Sequence, residues 1–437
     1  MKAIQNQLAA IVGTEGVCEW ENIDATRQEQ IKRAIASTTT PSCVVYPRTQ
    51  AELAAVIAGA DSNNWRVLPF GSGSKISWGG LAKNVQVLVS TERLNQLIQH
   101  AVGDLTITVE AGTKFADIQK TLAAVGQFLA LDPSTPQSAT IGGIVATADT
   151  NSLRQRYNSV RDQLLGISFV RADGQITKAG GRVVKNVAGY DLMKLFTGSY
   201  GSLGIITQVT FRVYPLPKAF GTVVLSGEAE AIASAISIIR SSALTPTKAD
   251  LLSTQLVANL DIGKGLGLVT RFGSLSESVK EQSSRLVEVG QKLGLQSATY
   301  TDRDEVELWQ QLSTQIQNTQ PNQTITCKIG VLPSTAVATL NQLDRIAPQQ
   351  GIGLIHAGSG LGLLKFDSAI RTNTVLQMRT HCQTQGGFLT VLEAPVTFKQ
   401  QLDVWGYRGN ALELMRRIKQ QFDPKNILSP YRFVGGI

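Results

Sequence analysis

Residues 69–80 read PFGSGSKISWGG and set four glycines and three serines directly behind the apolar step Val67-Leu68. Such a stretch has two uses. Glycine takes positive φ without steric cost and serine fills loops, so it can be a surface turn. Without Cβ atoms, successive N–H groups can also close around an anion such as a phosphate. Two further segments repeat the composition: DPSTPQSATIGGIVATADTN at 132–151 and GSYGSLGII at 198–206.

Three phosphate-binding patterns fail against the first loop. A P-loop requires Gly-Lys-Ser/Thr, but Lys75 stands between Ser74 and Ile76. A G-x-G-x-x-G turn would begin at Gly71 and Gly73, but position 76 is Ile. A kinase glycine loop lacks its lysine, catalytic-loop and metal motifs downstream. What remains is an anion nest without a helix.

Metal and thiol chemistry find little support. Cys18, Cys43, Cys327 and Cys382 are scattered with no C-x-x-C, so free thiols are expected and no iron–sulfur or zinc framework. His100, His356 and His381 form neither an H-E-x-x-H nor an H-x-H pair, so no metal site is expected. The net charge of +8 comes from dispersed Lys and Arg, with 6% aromatic residues and no basic run. That favours anionic small ligands or an acidic partner subunit over nucleic acid. No run of apolar residues is long enough to span a bilayer, and the N-terminal stretch has no signal-peptide core, so a cytoplasmic location is expected.

These loops need elements to hold them. Residues 1–35 read as helical. Residues 43–47 and 65–69 read as strands, with a helix between them capped by Thr49. The first loop therefore leaves a strand, where a ligand loop belongs in an α/β unit. Residues 85–89 and 106–110 alternate as strands, 114–124 as a helix, and 164–178 as a hairpin turning at Asp173-Gly174. A long apolar strand, 205–214, closes at Pro215 and Pro217. Beyond it, strands at 222–225, 266–272, 324–331, 353–356, 361–366 and 388–392 alternate with helices at 229–241, 276–293, 335–346 and 369–384. That rhythm suggests an antiparallel sheet covered on one face. The expected divisions are 1–42 (helical segment), 43–217, 218–395 and 396–437.

In their order and spacing, PFGSGSKISWGG, DPSTPQSATIGGIVATADTN, VRDQLLGISFVRADGQI and GSYGSLGIITQVTFRV resemble the FAD-binding domain of the vanillyl-alcohol-oxidase/PCMH flavoprotein family. GGRVVKNVAGYDLMKLFTGSYGSLGIIT is similar to the FAD-binding E subunits of glycolate oxidase (glycolate dehydrogenase), and FDPKNILSPYRF to the ending of these enzymes. The resemblance covers 43–217 and 422–433. It implies an α+β fold: a two-lobed PCMH-type FAD domain followed by an antiparallel-sheet, ferredoxin-like cap.

The resemblance also implies a cofactor site. Pro69, Gly71, Ser72, Gly73, Ser74 and Lys75 would wrap the FAD pyrophosphate with backbone amides, Lys75 adding charge. Pro133, Ser138, Thr140, Gly142 and Gly143, with Thr147, would hold the isoalloxazine and ribityl parts. Gly204, Ile205 and Ile206 would meet the adenine side. Some relatives tether the flavin to a histidine of the first loop. Here that position is around Ser74 and no histidine lies nearby, so noncovalent FAD is expected.

Catalytic relatives carry H-A-G-D-G-N-x-H and a later E-H-G, which hold a metal near a 2-hydroxy acid. This chain reads HAGSGLGL from His356, with Ser359 at the acidic position and Leu363 at the second histidine, and has no E-H-G. His356 is either a satisfied strand-end histidine, or a leftover ligand or proton acceptor. Arg271 and Lys328 are either solvated strand charges or carboxylate-binding cations. Tyr190-Asp191 caps a helix or packs against the flavin loops.

The expected function is the FAD-binding subunit of a glycolate/D-lactate dehydrogenase complex, working with a catalytic flavoprotein and an iron–sulfur subunit. Any peripheral membrane association would come through that complex. The alternatives are a self-sufficient 2-hydroxy-acid dehydrogenase and a flavin-less interaction subunit.

Overall fold

The computed structural model describes residues 2–36, 40–183, 189–317 and 322–437. The breaker at 38–42 and the VKNVA core of GGRVVKNVAGYD therefore lie partly or wholly outside the described residues. The chain divides into two compact units. The first comprises Met1–Thr150, Ser159–Pro215 and Tyr407–Ile437; the second comprises Asn151–Asn158 and Leu216–Gly406. The fold is α+β with mostly antiparallel sheets. Among the described residues no helix is long and apolar enough to cross a membrane.

The first unit holds two main sheets. One runs in the order Val17–Glu19, Cys43–Val45, Val87–Ser90, Val67–Phe70, with the last three mutually parallel. Parallel neighbours need a crossover. Helix Gln50–Ser62 supplies it, started by the Thr49 hydroxyl accepting the Glu52 N–H at 3.1 Å. Leu53, Val56, Ile57 and Ala60 pack onto Val45, Val67 and Val87. The other sheet is antiparallel, in the order Leu97–Ala101, Thr106–Glu110, Ile205–Arg212, Leu164–Val170, Ile176–Gly180. Its inner residues Val109, Ile167, Phe169, Val209 and Phe211 form a core with helices Phe115–Ala123 and Ile141–Thr147.

Three expectations need correction here. Residues 1–35 are not continuously helical. Helix Lys2–Val12 stops at Gly13 (φ 77°), and Val17–Glu19 pairs with Cys43–Val45 before helix Ala25–Lys32 begins. The second Gly-rich segment is not wholly irregular: Ile141–Thr147 is a helix capped by Thr140, despite the two glycines that lower its propensity. The strand 205–214 breaks after Arg212, and Tyr214–Pro215 pairs elsewhere, with Gln127–Phe128.

The second unit is built on one eight-stranded antiparallel sheet. Its order is Gln296–Thr301, Ala219–Gly227, Leu266–Ser274, Lys248–Leu252, Gly351–His356, Leu361–Asp367, Thr324–Gly330, Phe388–Glu393. Helices Ala229–Ser241, Ser276–Lys292, Ala336–Ile346 and Thr372–Thr384 bury one face. The other face is not left bare. Helix Asp302–Gln317 packs on it, with Glu305 bonded to Thr222 and the Gln315 carbonyl to Lys365. That helix and the strand before it carry QSATYT and many charged residues, which mask their apolar period.

Candidate functional site: a Gly-lined cleft in the first unit

The first loop leaves strand Val67–Phe70 and bends back through two tight turns, Ile76 N–H to Gly73 O at 3.0 Å and Trp78 N–H to Lys75 O at 3.1 Å. Gly73 takes φ 81°, a conformation that L side chains resist. The second loop meets the first at its capping residue: a Cβ on Gly71 would lie 2.0 Å from Thr140 Oγ1. Glycine at 71 is thus required by contact between two loops, not by a turn alone.

Together with Tyr200, Gly201 and Gly204–Ile206 these loops line a cleft. Pro69, Gly71, Ser72, Gly73, Ser74, Lys75, Thr140, Gly142, Gly143, Thr147, Gly204, Ile205 and Ile206 all line it. Two of the residues named from the sequence do not. Pro133 is buried away from the cleft wall, and Ser138 is exposed in the turn that follows Thr135.

Several wall residues carried no signal of their own: Phe70, Ile76, Thr91, Ala146, Tyr200, Gly201 and Arg432. Arg432 comes from the C-terminal FDPKNILSPYRF segment. Its Nη2 donates to the carbonyls of Lys75, Ile76 and Trp78, so the C-terminus fastens the first loop from behind. From another side, Arg27 Nη1 donates to Ser72 O at 3.0 Å. The Tyr200 phenol is driven up from its ordinary pKa by burial, with Arg432 opposing and Asp149 adding to the rise, so it is protonated at neutral pH.

Two polar groups on the first loop are buried with no hydrogen-bond partner among the described residues: Ser72 Oγ and Lys75 Nζ. Buried polar groups are normally satisfied. Here they sit in the wall of a cleft lined otherwise by glycine backbone, apolar side chains, the hydroxyl-bearing Ser74, Thr91, Thr140, Thr147 and Tyr200, and Arg432. Such a lining suits a flat, partly apolar ligand with an anionic centre.

The three candidate catalytic residues lie in the second unit. His356 is buried, and its Nδ1 pairs with Asp250 Oδ1 at 2.6 Å; Asp250 Oδ2 accepts from Ser152. Arg271 is not a free cation. Its Nε and Nη2 form a two-pronged pair with Glu305 at 2.6 and 3.1 Å, and it stacks over Phe220. Thr222 and Trp309 extend that network beside an open depression. Lys328 is half-buried on strand Thr324–Gly330, opposite Leu363 and Thr390.

The strand register puts Arg271, His356 and Lys328 on one face of the sheet. One strand separates each neighbouring pair, so they stand roughly 10 Å apart or more and do not form one cluster. Asp191, in the first unit, caps helix Leu192–Phe196 by accepting the Lys194 N–H, while Tyr190 is almost fully exposed.

Comparison with known proteins agrees with this geometry. Residues 41–180 match the family described as FAD binding domain, and residues 405–433 match the C-terminal domain of FAD linked oxidases. The glycolate oxidase subunit GlcD of Bacillus subtilis is 24% identical, with 98% of this chain and 96% of that protein covered. The probable mitochondrial D-lactate dehydrogenase of Danio rerio is 25% identical over 98% of this chain and 91% of its own. The mitochondrial D-lactate dehydrogenase [cytochrome] of Arabidopsis thaliana is 32% identical, over 41% of this chain and 31% of its own. Among solved structures, p-cresol methylhydroxylase superposes with a TM-score of 0.75 at 15% identity, covering 99% of this chain and 96% of that one. Alkyldihydroxyacetonephosphate synthase gives 0.73 at 16%, covering 98% and 86%. The chain thus carries an FAD binding domain and the C-terminal domain of FAD linked oxidases on the fold of p-cresol methylhydroxylase, and its cofactor is FAD.

Proposed function

We infer that this chain is the FAD-binding subunit of a 2-hydroxy-acid dehydrogenase complex that oxidises glycolate or D-lactate, exchanging electrons with a catalytic flavoprotein and an iron–sulfur subunit. The observation that carries the reading is the cleft with two buried polar groups on its glycine loop, Ser72 Oγ and Lys75 Nζ, that have no hydrogen-bond partner among the described residues. FAD fits that lining. A dinucleotide brings a diphosphate to satisfy them, and Gly71 and Gly73 leave the backbone bare for its approach. In this reading residues 69–75 hold the diphosphate, Thr140, Gly142, Gly143 and Thr147 the flavin side, and Gly204, Ile205 and Ile206 the adenine side. No histidine stands in the first loop, and the FAD is held without a covalent bond.

When bound, the flavin accepts a hydride equivalent and passes electrons on one or two at a time. The protein's share is to bind the diphosphate with amides, cover the dinucleotide with the apolar Phe70 and Ile76 and its adenine side with Ile205, and keep the Tyr200 phenol protonated. Two of the relatives support the substrate class by their names, which specify glycolate and D-lactate. The word "subunit" in the first of those names supports the complex.

A self-sufficient enzyme is the second reading, and one contact favours it. Oxidising a 2-hydroxy acid requires an acceptor for the hydroxyl proton. Asp250, bonded to His356 Nδ1, fixes the imidazole as a carboxylate–histidine pair able to take a proton at Nε2.

Two experiments separate the readings. The tagged chain is expected to co-purify an iron–sulfur protein from its native host, and its bound flavin is expected to stay oxidised when the isolated chain receives glycolate or D-lactate without oxygen. Bleaching by either acid in the isolated chain would sink the accessory-subunit reading in favour of the second.

A further inference from the structure

The contact between Lys75 and Asp149 has no role in the cofactor reading as stated above. Lys75 Nζ lies 3.2 Å from Asp149 Oδ2, and the two side chains are 4% and 3% exposed. The pair joins the first Gly-rich loop to the end of the second. Asp149 is fixed by its own loop. Ala148 takes a left-handed conformation (φ 49°) to end helix Ile141–Thr147, and Asp149 then accepts the Ser134 N–H and hydroxyl, each at 2.9 Å. The lysine is placed differently. It is close enough to Asp149 for charge attraction, yet its ammonium makes no hydrogen bond among the described residues.

An ammonium has three N–H donors, and leaving them without acceptors in a buried site is costly. A hydrophobic pair of similar volume would seal two loops at least as well. Lys75 lines the cleft, whereas Asp149 stands behind it. The arrangement makes sense if the missing acceptor comes from a ligand and the carboxylate keeps the buried cation charged and aimed.

We propose that Asp149 is a cofactor-positioning residue: it holds the Lys75 ammonium at the cleft wall so that its N–H groups donate to an anionic oxygen of the dinucleotide's diphosphate. This rests on the FAD assignment of the cleft and adds to it a residue that does not touch the cofactor.

The test uses the full chain, stripped of flavin and titrated with FAD while flavin fluorescence is followed at several ionic strengths. Thermal unfolding of each flavin-free variant is recorded alongside. Lys75→Met and Asp149→Asn are each expected to raise the Kd about tenfold or more and to flatten its dependence on salt. Together they are expected to cost no more than Lys75→Met alone, since the two residues act as one unit. Ser134→Ala, which removes one of the donors to Asp149, is expected to give a smaller loss in the same direction. It also serves as the test if Asp149→Asn does not fold.

Wild-type affinity and salt dependence in Asp149→Asn, or in Ser134→Ala if that variant stands in, would overturn the proposal. So would full recovery of FAD binding in Lys75→Met/Asp149→Leu, which would make the pair a mere seal between loops. Failure of the wild-type chain to bind FAD at all would refute the cleft assignment itself, a different outcome from either.

Discussion

Gly71 and Thr140 are packed so closely that no side chain fits between them: a Cβ on Gly71 would stand 2.0 Å from Thr140 Oγ1 and 2.9 Å from its Cβ. The two Gly-rich loops are therefore in direct backbone-to-side-chain contact at the cleft wall. Gly71→Ala must push them apart. Overpacking of this kind costs about 1–3 kcal/mol, and the amides of residues 71–75 would lose their convergence. A chain that unfolds at lower temperature and purifies with little flavin is expected. Unchanged flavin occupancy would show that the contact does not shape the site.

Arg432 is expected to matter for cofactor retention although it is distant in sequence from the loop it holds. Arg432→Ala removes the donor shared by three loop carbonyls. A net loss of about 1–3 kcal/mol is ordinary for unsatisfied buried groups. Faster FAD release and a Kd raised about tenfold should follow, measured by dilution of the holoprotein. Arg432→Lys is expected to recover only part, because an ammonium lacks the planar fork of a guanidinium.

In the second unit, Asp250 accepts from both His356 and Ser152 and is wholly buried. Asp250→Ala leaves two buried donors without an acceptor. Destabilisation of about 2–4 kcal/mol is expected from denaturant unfolding. His356→Phe keeps the bulk but leaves the buried Asp250 carboxylate with Ser152 as donor, and is expected to cost at least as much in stability.

The cysteines make a pH prediction. Burial pushes the thiols of Cys43, Cys327 and Cys382 up from the ordinary 9.0 to about 12. The folded chain then keeps protons that the unfolded chain releases above pH 9. This contribution to stability is fully present below about pH 9 and is lost as pH rises from there towards 12. At pH 8 a thiol reagent should label Cys18 alone, since the other three are buried as well as protonated. Rapid labelling of all four in the native chain would contradict this.

Much of the candidate cleft was legible because its wall is largely backbone. A wall made of glycines and small residues must be locally contiguous, so PFGSGSK, TIGG and GSLGII announce themselves as runs. Side-chain partnerships across the chain leave no such trace. Nothing in the spacing of Lys75 and Asp149, or of Arg432 and the first loop, marks them as neighbours. In the second unit, Arg271 looked like a free cation because its partner Glu305 lies on helix Asp302–Gln317, whose charged surface hid the helix itself. Ser138 was implied as a cofactor contact by the resemblance, and it stands on the exposed limb of its turn.

The most direct test of the account is the absorbance spectrum of the purified full chain before and after acid precipitation. Flavin bands in the native chain, near one FAD per protein, with all the colour in the supernatant afterwards, are expected of a noncovalent cofactor in the 69–75 cleft. A chain that shows no flavin bands even after incubation with FAD would contradict the central claim, and colour retained in the pellet would contradict its noncovalent form.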